Sequence, residues 1–159
     1  MSQERDPYIR PWITNEPGRM IGRGHPAGDF LEAWAWDLID ESDGHLRVSA
    51  HLPDHVRNPH GQLFGGFTPT YVDLVALFTA RSRAQRASQP KPPWLATTNM
   101  RVDYILPILG PRFIIDCRRE TLQGRTHYVI TRFLQDDKLA VLAATTLREV
   151  PIERSRGDA

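Results

Sequence analysis

Asp73 is the charged residue whose surroundings are most unusual, because it interrupts the apolar run of residues 72–78. A carboxylate among buried aliphatic side chains costs free energy unless it is paired, hydrogen-bonded or protonated. Two interpretations follow from this residue alone. Asp73 is either a functional group in a sheltered site, or a structural residue on a narrow solvent-facing stripe or hydrogen-bonded to a neighbouring strand.

A glycine pair, Gly65-Gly66, stands just before the segment that carries Asp73. Adjacent glycines at the start of a helix let another molecule approach the backbone closely and leave N–H groups free to bind an oxygen that gains negative charge. This is the outline of an oxyanion hole. The alternative interpretation of the pair is an ordinary tight turn.

The spacing of these two features limits how they act together. Asp73 lies seven residues beyond Gly66, which is about 10 Å along a helix. One helix does not easily bring both groups to one carbonyl carbon. A twofold-related copy, packed antiparallel on the same helix, places the Asp73 of one chain beside the Gly65 of the other. We therefore expect a site at a dimer interface.

The element that carries Asp73 is predicted to be a helix of about six turns over residues 67–87. This segment contains no glycine, and Pro69 lies in the first turn, where proline is tolerated. Its first half is apolar almost all the way round, so we expect it to be buried on more than one side. Its second half is basic, and we expect it to emerge into water.

Most of the remaining sequence alternates with period two, which predicts strands. A hairpin signal at residues 42–44 joins the first two strands. Residues 139–144 are apolar at every position, so we expect both of their faces to be covered. A short helix is predicted at residues 29–33. The predicted strands are residues 34–41, 45–52, 95–106 and 112–122, with two more separated by breaks at 123–124 and 136–137.

This order predicts an α+β fold in which a curved antiparallel sheet wraps around one long central helix. We divide the chain into an N-terminal arm (residues 1–27), a single domain (28–150) and a flexible tail (151–159). The arm is rich in proline and glycine, but its Trp12, Ile13 and Ile21 are expected to dock on the domain.

Composition narrows the classes of function. The chain has 159 residues and a formal net charge of +1, which gives no general attraction for nucleic acid or anionic membrane. Cys117, the single cysteine, forms no intrachain disulfide, and we expect a buried thiol in a cytoplasmic protein. The N-terminal residues lack the apolar stretch of a signal peptide, and no run approaches a membrane span.

The pattern N-x2-G-x3-GG-x6-D, from Asn58 to Asp73, is followed by a strand with the sequence TTNMRVDYILP at residues 97–107. Together they resemble the hotdog-fold acyl-CoA thioesterases of the phenylacetate-pathway type, in the superfamily that includes 4-hydroxybenzoyl-CoA thioesterase. The resemblance covers about residues 30–149. It implies the hotdog fold and a homodimer or dimer of dimers.

The resemblance also implies hydrolysis of an acyl-CoA to a free acid and coenzyme A, with no cofactor because coenzyme A is part of the substrate. It assigns the backbone N–H of Gly65 to the thioester carbonyl, with Asn58 helping to polarise it. Asp73 of the other subunit activates water or attacks directly. Thr97 helps to hold the water, and a β-bulge would transfer that role to Thr98.

Phe64 is a departure from the pattern, because many relatives carry histidine immediately before the two glycines. We place Phe64, Gly66 and Thr98 among the substrate-binding residues. The missing imidazole leaves open a second hypothesis, a non-catalytic module that binds acyl-CoA or a small acid. A third is a hotdog enoyl-CoA hydratase, suggested by residues 58–60, although these enzymes have one more residue between the proline and the histidine.

Coenzyme A carries phosphates, so a thioesterase needs positive charge near its pocket. A metal site is not expected, because His51, His55 and His60 lack the spacing of a strong metal motif. The candidate cations for the phosphates are Arg81, Arg83, Arg86, Lys91, Arg118 and Arg119.

Overall fold

The computed structural model of the chain describes residues 10–81 and 93–151. Within them, six strands form one antiparallel sheet with a helix packed against one face, as predicted. The helices are α1 (Pro26–Phe30) and α2 (Thr68–Ala80). The strands are β1 (Asp37–Ser42), β2 (His45–His51), β3 (Trp94–Tyr104), β4 (Arg112–Gln123), β5 (Thr126–Gln135) and β6 (Lys138–Val150).

The order of strands in the sheet is β1-β2-β4-β5-β6-β3. The predicted hairpin between β1 and β2 is confirmed, with Ser42 paired to His45. Its turn needs Gly44, whose φ is 70°. β3 follows α2 in the chain and pairs with β6 at the end of the sheet, so its other edge has no partner among the described strands.

The core lies between α2 and the concave face of the sheet. Tyr71, on the second turn of α2, is fully buried, and its ring stacks on Trp36 with centroids 5.4 Å apart. Phe113 and Phe133 extend this aromatic cluster across β4 and β5. The hydroxyl of Tyr71 donates a hydrogen bond to the backbone carbonyl of His51 at 3.0 Å. The helix that carries Asp73 is therefore fixed to the sheet by both packing and a hydrogen bond.

The predicted length of α2 is wrong. The helix ends at Ala80, because Arg81 adopts an extended conformation with φ of −131°. Arg119 donates a hydrogen bond to the backbone carbonyl of Ala80 at 3.0 Å, which satisfies a carbonyl group at the helix end. Arg81 is also buried instead of reaching into water, with its guanidinium 3.6 Å from the carboxylate of Glu149. Residues 82–87 of the predicted helix lie outside the described residues.

The position of the short helix and the burial of β6 also differ from the predictions. The short helix is α1, at Pro26–Phe30 instead of residues 29–33, with Pro26 in its first turn and the imidazole of His25 as its N-cap. In β6, one face is buried against the core, but Ala144 on the other face is exposed and Leu142 is half-buried. The apolar run in β6 is therefore not covered on both faces within one chain.

Residues 10–25 pack against the same core as the sheet. Met20 and Ile21 are almost fully buried, and Arg19 donates a hydrogen bond to the backbone carbonyl of Trp36 at 2.9 Å. The division into arm, domain and tail stays a prediction, and residues 152–159 of the tail lie outside the described residues. No helix in the described part of the chain is long and apolar enough to cross a membrane.

Candidate active site

Asp73 lies on the side of α2 that faces the edge strand β3. Its neighbours Val72 and Leu74 are buried, whereas Asp73 itself is half-buried in the single chain. The hydroxyl of Thr97 donates a hydrogen bond to a carboxylate oxygen of Asp73. The structure thus brings together two of the predicted site residues, one from the helix and one from the strand.

A β-bulge in β3 is what turns Thr97 toward Asp73. The register with β6 shifts between Thr97 and Asn99, so Thr98 is the extra residue. On either side of the bulge, Leu95 and Met100 both pack against the core, although an uninterrupted strand would place them on opposite faces. Thr98 points elsewhere and donates to the backbone carbonyl of Thr146 at 3.2 Å. The bulge therefore does not transfer the contact with Asp73 to Thr98.

The glycine pair opens a turn of 3-10 helix, Gly65–Phe67, that runs directly into α2. The first N–H groups of such a segment have no acceptor within the helix, so those of Gly65 and Gly66 are the donors at this end. The hydroxyl of Tyr104, at the end of β3, donates to the carbonyl of Gly65 at 2.6 Å and holds the turn in place. The pair is thus a helix start, with its donors at the opposite end of α2 from Ala80.

Phe64, which precedes the glycines, is 49% exposed, and its ring packs edge-on against Phe67. The same ring covers Gly66 so closely that a Cβ atom on Gly66 would lie 2.6 Å from a ring carbon. Gly66 is therefore needed for the packing of Phe64. An apolar ring at this position supplies no proton donor or acceptor beside the N–H groups.

Asn58 has its side-chain oxygen committed within its own loop. This oxygen accepts hydrogen bonds from the backbone N–H groups of His60 at 2.9 Å and Gln62 at 3.1 Å. The side-chain amide nitrogen has only a long contact of 3.5 Å with the side-chain oxygen of Gln62. The amide nitrogen is therefore the group of Asn58 that remains able to donate to a ligand.

His25 is a residue near Asp73 that sequence reasoning missed. Its Nδ1 accepts a hydrogen bond from the N–H of Gly28 at 3.1 Å, which places the proton of a neutral ring on Nε2. Burial lowers the pKa of His25 below its ordinary value, and the negative charges of Asp29 and Asp73 partly oppose this shift. No local sequence pattern in the proline-rich arm indicates that His25 lies near Asp73, because the two residues meet only when the arm docks on the domain.

Two cavities flank these residues. One, of about 150 Å³, lies between the arm, α2 and the start of β3, and includes His25, Leu77 and Leu95 in its lining. The other, of about 420 Å³, lies at the opposite end of β3 and is lined by residues that include Gly65 and Tyr104. Leu77 is one helical turn beyond Asp73 and Leu95 is two residues before Thr97, so the smaller cavity is next to the pair, whereas Tyr104 at the larger cavity is seven residues along β3 from Thr97.

The candidate cations for coenzyme A differ in their surroundings. Arg119 binds Asp43 as well as the end of α2, and Arg118 lies 3.4 Å from Asp116. Arg81 lines the smaller cavity. Arg83, Arg86 and Lys91 lie outside the described residues.

The remaining chemical groups lie apart from Asp73. Cys117 is fully buried, as predicted, and burial raises the pKa of its thiol to about 11. His51 and His55 contact Glu32 and the carbonyl of Phe30 respectively, while His60 is exposed in a turn. Among the described residues, no group of three or more histidine, cysteine or acidic side chains is placed to bind a metal.

Comparison with solved structures identifies the fold as the hotdog fold. A phenylacetic acid degradation-related protein from Ralstonia eutropha JMP134 aligns with a TM-score of 0.65 and 21% identity, over 79% of this chain and 91% of that chain. The Escherichia coli PaaI protein of the phenylacetic acid degradation operon aligns with a TM-score of 0.63 and 14% identity, over 77% and 87% of the two chains.

A hypothetical thioesterase protein from Streptococcus pneumoniae TIGR4, solved with coenzyme A, aligns with a TM-score of 0.62 and 15% identity, over 73% of this chain and 89% of that chain. No family model and no curated protein matches the sequence. The Ralstonia neighbour is described as a putative thioesterase and, like the Escherichia coli protein, as part of phenylacetic acid degradation, so the fold implied by the sequence resemblance is confirmed. Because all identities are low, the likeness establishes the fold and not the activity.

We predict that Asp73→Asn lowers the pKa of His25 further. The carboxylate of Asp73 favours the charged imidazolium, and the substitution removes that charge while keeping the shape of the side chain. An NMR titration of the His25 ring protons measures the change. Asp137→Asn is the control, because Asp137 is exposed in a turn with φ of 61°, a conformation that asparagine adopts readily. An unchanged His25 pKa in Asp73→Asn would contradict the proximity of the two groups.

Proposed function

We propose that the protein hydrolyses an acyl-CoA thioester to a free acid and coenzyme A. The observation that carries the proposal is the hydrogen bond between Thr97 and a half-buried Asp73, on the same helix as the glycine turn. The thioesterases among the structural neighbours support the same reaction class, and one of them was solved with coenzyme A.

In this proposal Asp73 activates a water molecule or attacks the thioester carbonyl directly. The hydrogen bond from Thr97 fixes one carboxylate oxygen and leaves the other oriented toward the reacting atoms. The N–H groups at Gly65 and Gly66 stabilise the oxygen that becomes negative in the tetrahedral intermediate. The amide nitrogen of Asn58 polarises the same carbonyl, while Phe64 excludes water beside it.

The proposed site is completed by a second copy of the chain. Within one chain, the donors at Gly66 and the Asp73 carboxylate are separated by about 10 Å along the helix axis. The edge of β3 that has no partner among the described strands is 11 residues long, and a strand edge of that length readily pairs with another strand. A twofold axis at this edge sets Asp73 of one protomer opposite Gly65 of its partner. We therefore propose a homodimer, which a dimer of dimers extends.

The compartment and the cofactor requirement of the reaction are also part of this proposal. We place the protein in the cytoplasm, because its single cysteine suits a reducing compartment. Coenzyme A is part of the acyl-CoA substrate and is released as a product, and the reaction as proposed uses no cofactor. Binding without hydrolysis is the second candidate, favoured specifically by Phe64, which brings an apolar ring and no proton-transfer group to the helix start.

We predict that the purified protein releases free thiol from at least one thioester in a panel of aliphatic and aromatic acyl-CoA compounds. Asp73→Asn should reduce turnover by about 100-fold or more, because it removes the base or nucleophile. Thiol detection with mass analysis of the products measures both effects, with Asp137→Asn as the control. Unchanged turnover in Asp73→Asn would remove this residue from the mechanism. Binding without thiol release would favour the non-catalytic module, and hydration of an enoyl-CoA would favour the hydratase.

A pair of neighbouring threonines provides a second prediction. Thr97→Val removes the hydroxyl that orients Asp73 and should reduce kcat by about 10-fold or more, as expected for loss of a positioning hydrogen bond. Thr98→Val is the matched control, because the hydroxyl of Thr98 binds the carbonyl of Thr146 instead. Steady-state kinetics on the same thioester measures both. A larger loss in Thr98→Val than in Thr97→Val would contradict the assigned roles.

A further inference from the structure

The smaller cavity follows one stripe of α2 away from Asp73. Asp73 and Leu77 are four residues apart, so they are neighbours on the same side of α2, and Arg81 is the first residue beyond the end of that helix. Leu77 and Arg81 line the cavity, and so does Leu95, two residues before Thr97 on the same face of β3. The cavity therefore begins beside the Asp73–Thr97 pair and extends toward the end of the helix.

Residues of the arm form part of the wall of this cavity. Trp12, Ile13 and His25 contribute to its lining, together with Phe78 and Trp94 from the body of the protein. Its volume of about 150 Å³ is several times the roughly 30 Å³ that one water molecule occupies in the liquid. The walls are mainly apolar side chains, which suit a carbon chain or a single ring.

The far end of the cavity is positively charged. Of the described residues that line it, two are arginines, Arg10 and Arg81, and none is acidic. The guanidinium of Arg10 lies over the ring of Trp94, 5.9 Å from its centroid. The carboxylate of Glu149 is 3.6 Å from Arg81, but the same oxygen is 3.0 Å from His127. One carboxylate outside the cavity lining is thus shared between a histidine and Arg81.

The surroundings of Arg81 favour an incoming anion. Burial lowers the pKa of this guanidinium, the charge of Glu149 opposes the shift, and the nearby charge of Arg10 adds to it. A carboxylate that enters between two guanidinium groups gains charge-assisted hydrogen bonds in a site of low dielectric. An uncharged methyl group at the same place gains nothing comparable.

We infer that this cavity binds the acyl group of the substrate and that Arg81, with Arg10, binds a carboxylate at the far end of that group. This inference rests on the proposed thioesterase function and names its substrate class: the coenzyme A monothioester of a short dicarboxylic acid. Arg81 lies eight residues beyond Asp73, and the helical part of this path, from Asp73 to Ala80, spans about 10 Å along the axis of α2. The arginine side chain spans part of this distance, and a short acyl chain spans the rest.

The test compares adipyl-CoA with heptanoyl-CoA, whose acyl chains are similar in length but differ in the terminal carboxylate. The wild-type protein should show the higher kcat/KM for adipyl-CoA. Arg81→Gln should reduce kcat/KM for adipyl-CoA by about 30-fold or more, the usual cost of truncating one partner of a buried charge pair. It should change the value for heptanoyl-CoA by less than about 3-fold, since that chain makes no such contact.

Arg148→Gln is the matched control, because Arg148 is exposed on the opposite face of β6 from the core. Arg10→Gln is the second variant, and it tests the same selectivity if Arg81→Gln fails to fold. Equal losses on both substrates would overturn the inference, because they would assign Arg81 to coenzyme A binding or to the fold. Wild-type kcat/KM that is no higher for adipyl-CoA than for heptanoyl-CoA would also overturn it.

Binding of the methyl esters, measured by calorimetry, separates this inference from the proposed function, because an ester takes the place of the thioester and leaves only the far-end carboxylate to differ. Monomethyl adipate that binds more tightly than methyl heptanoate, with an advantage lost in Arg81→Gln, supports the carboxylate site even if no thioester is hydrolysed. In that case the proposed hydrolysis is wrong, and the inferred carboxylate site is supported. Hydrolysis of heptanoyl-CoA without preferential binding or turnover of the dicarboxylic compounds overturns the inference and leaves the proposed function intact.

Discussion

The geometry of the candidate site depends on the hydrogen bond between Thr97 and Asp73. A carboxylate on a helix whose neighbouring residues are buried needs a donor to offset its lost hydration. Thr97 supplies this donor only because the bulge at Thr98 changes which side chains of β3 face the helix. The aromatic cluster around Tyr71 holds α2 on the sheet, so helix, strand and bulge together fix the position of the carboxylate.

The same arrangement explains why one chain does not hold a complete site. Asp73 faces β3, the last strand of the described sheet, whereas the backbone donors lie at the start of α2. The arm brings His25 within reach of the charge of Asp73 and forms part of the wall of a cavity that Arg81 also lines. In the proposed mechanism, different sides of Asp73 therefore face the acyl group, the reacting carbonyl and the partner subunit.

Much of this structure could be predicted from local pattern. Alternation with period two located the strands, and an acid in an apolar run identified Asp73, because both signals come from which side chains meet the core. The end of α2, the bulge at Thr98 and the approach of His25 could not be predicted in this way. Each depends on contacts between distant segments, such as Arg119 with Ala80 and the arm with α2. The inward position of Arg81 has the same origin, since Glu149 lies on β6.

The most direct test of the shared site is complementation between two inactive variants, Asp73→Asn and Gly65→Pro. Proline at position 65 removes the N–H donor, suits the extended conformation of Phe64, and adds a Cβ atom 3.6 Å from the ring of Tyr104. After subunit exchange in an equal mixture, half of the dimers contain one intact site, so thiol release should recover to about a quarter of the wild-type rate. A mixture as inactive as its two components would contradict a site shared between protomers.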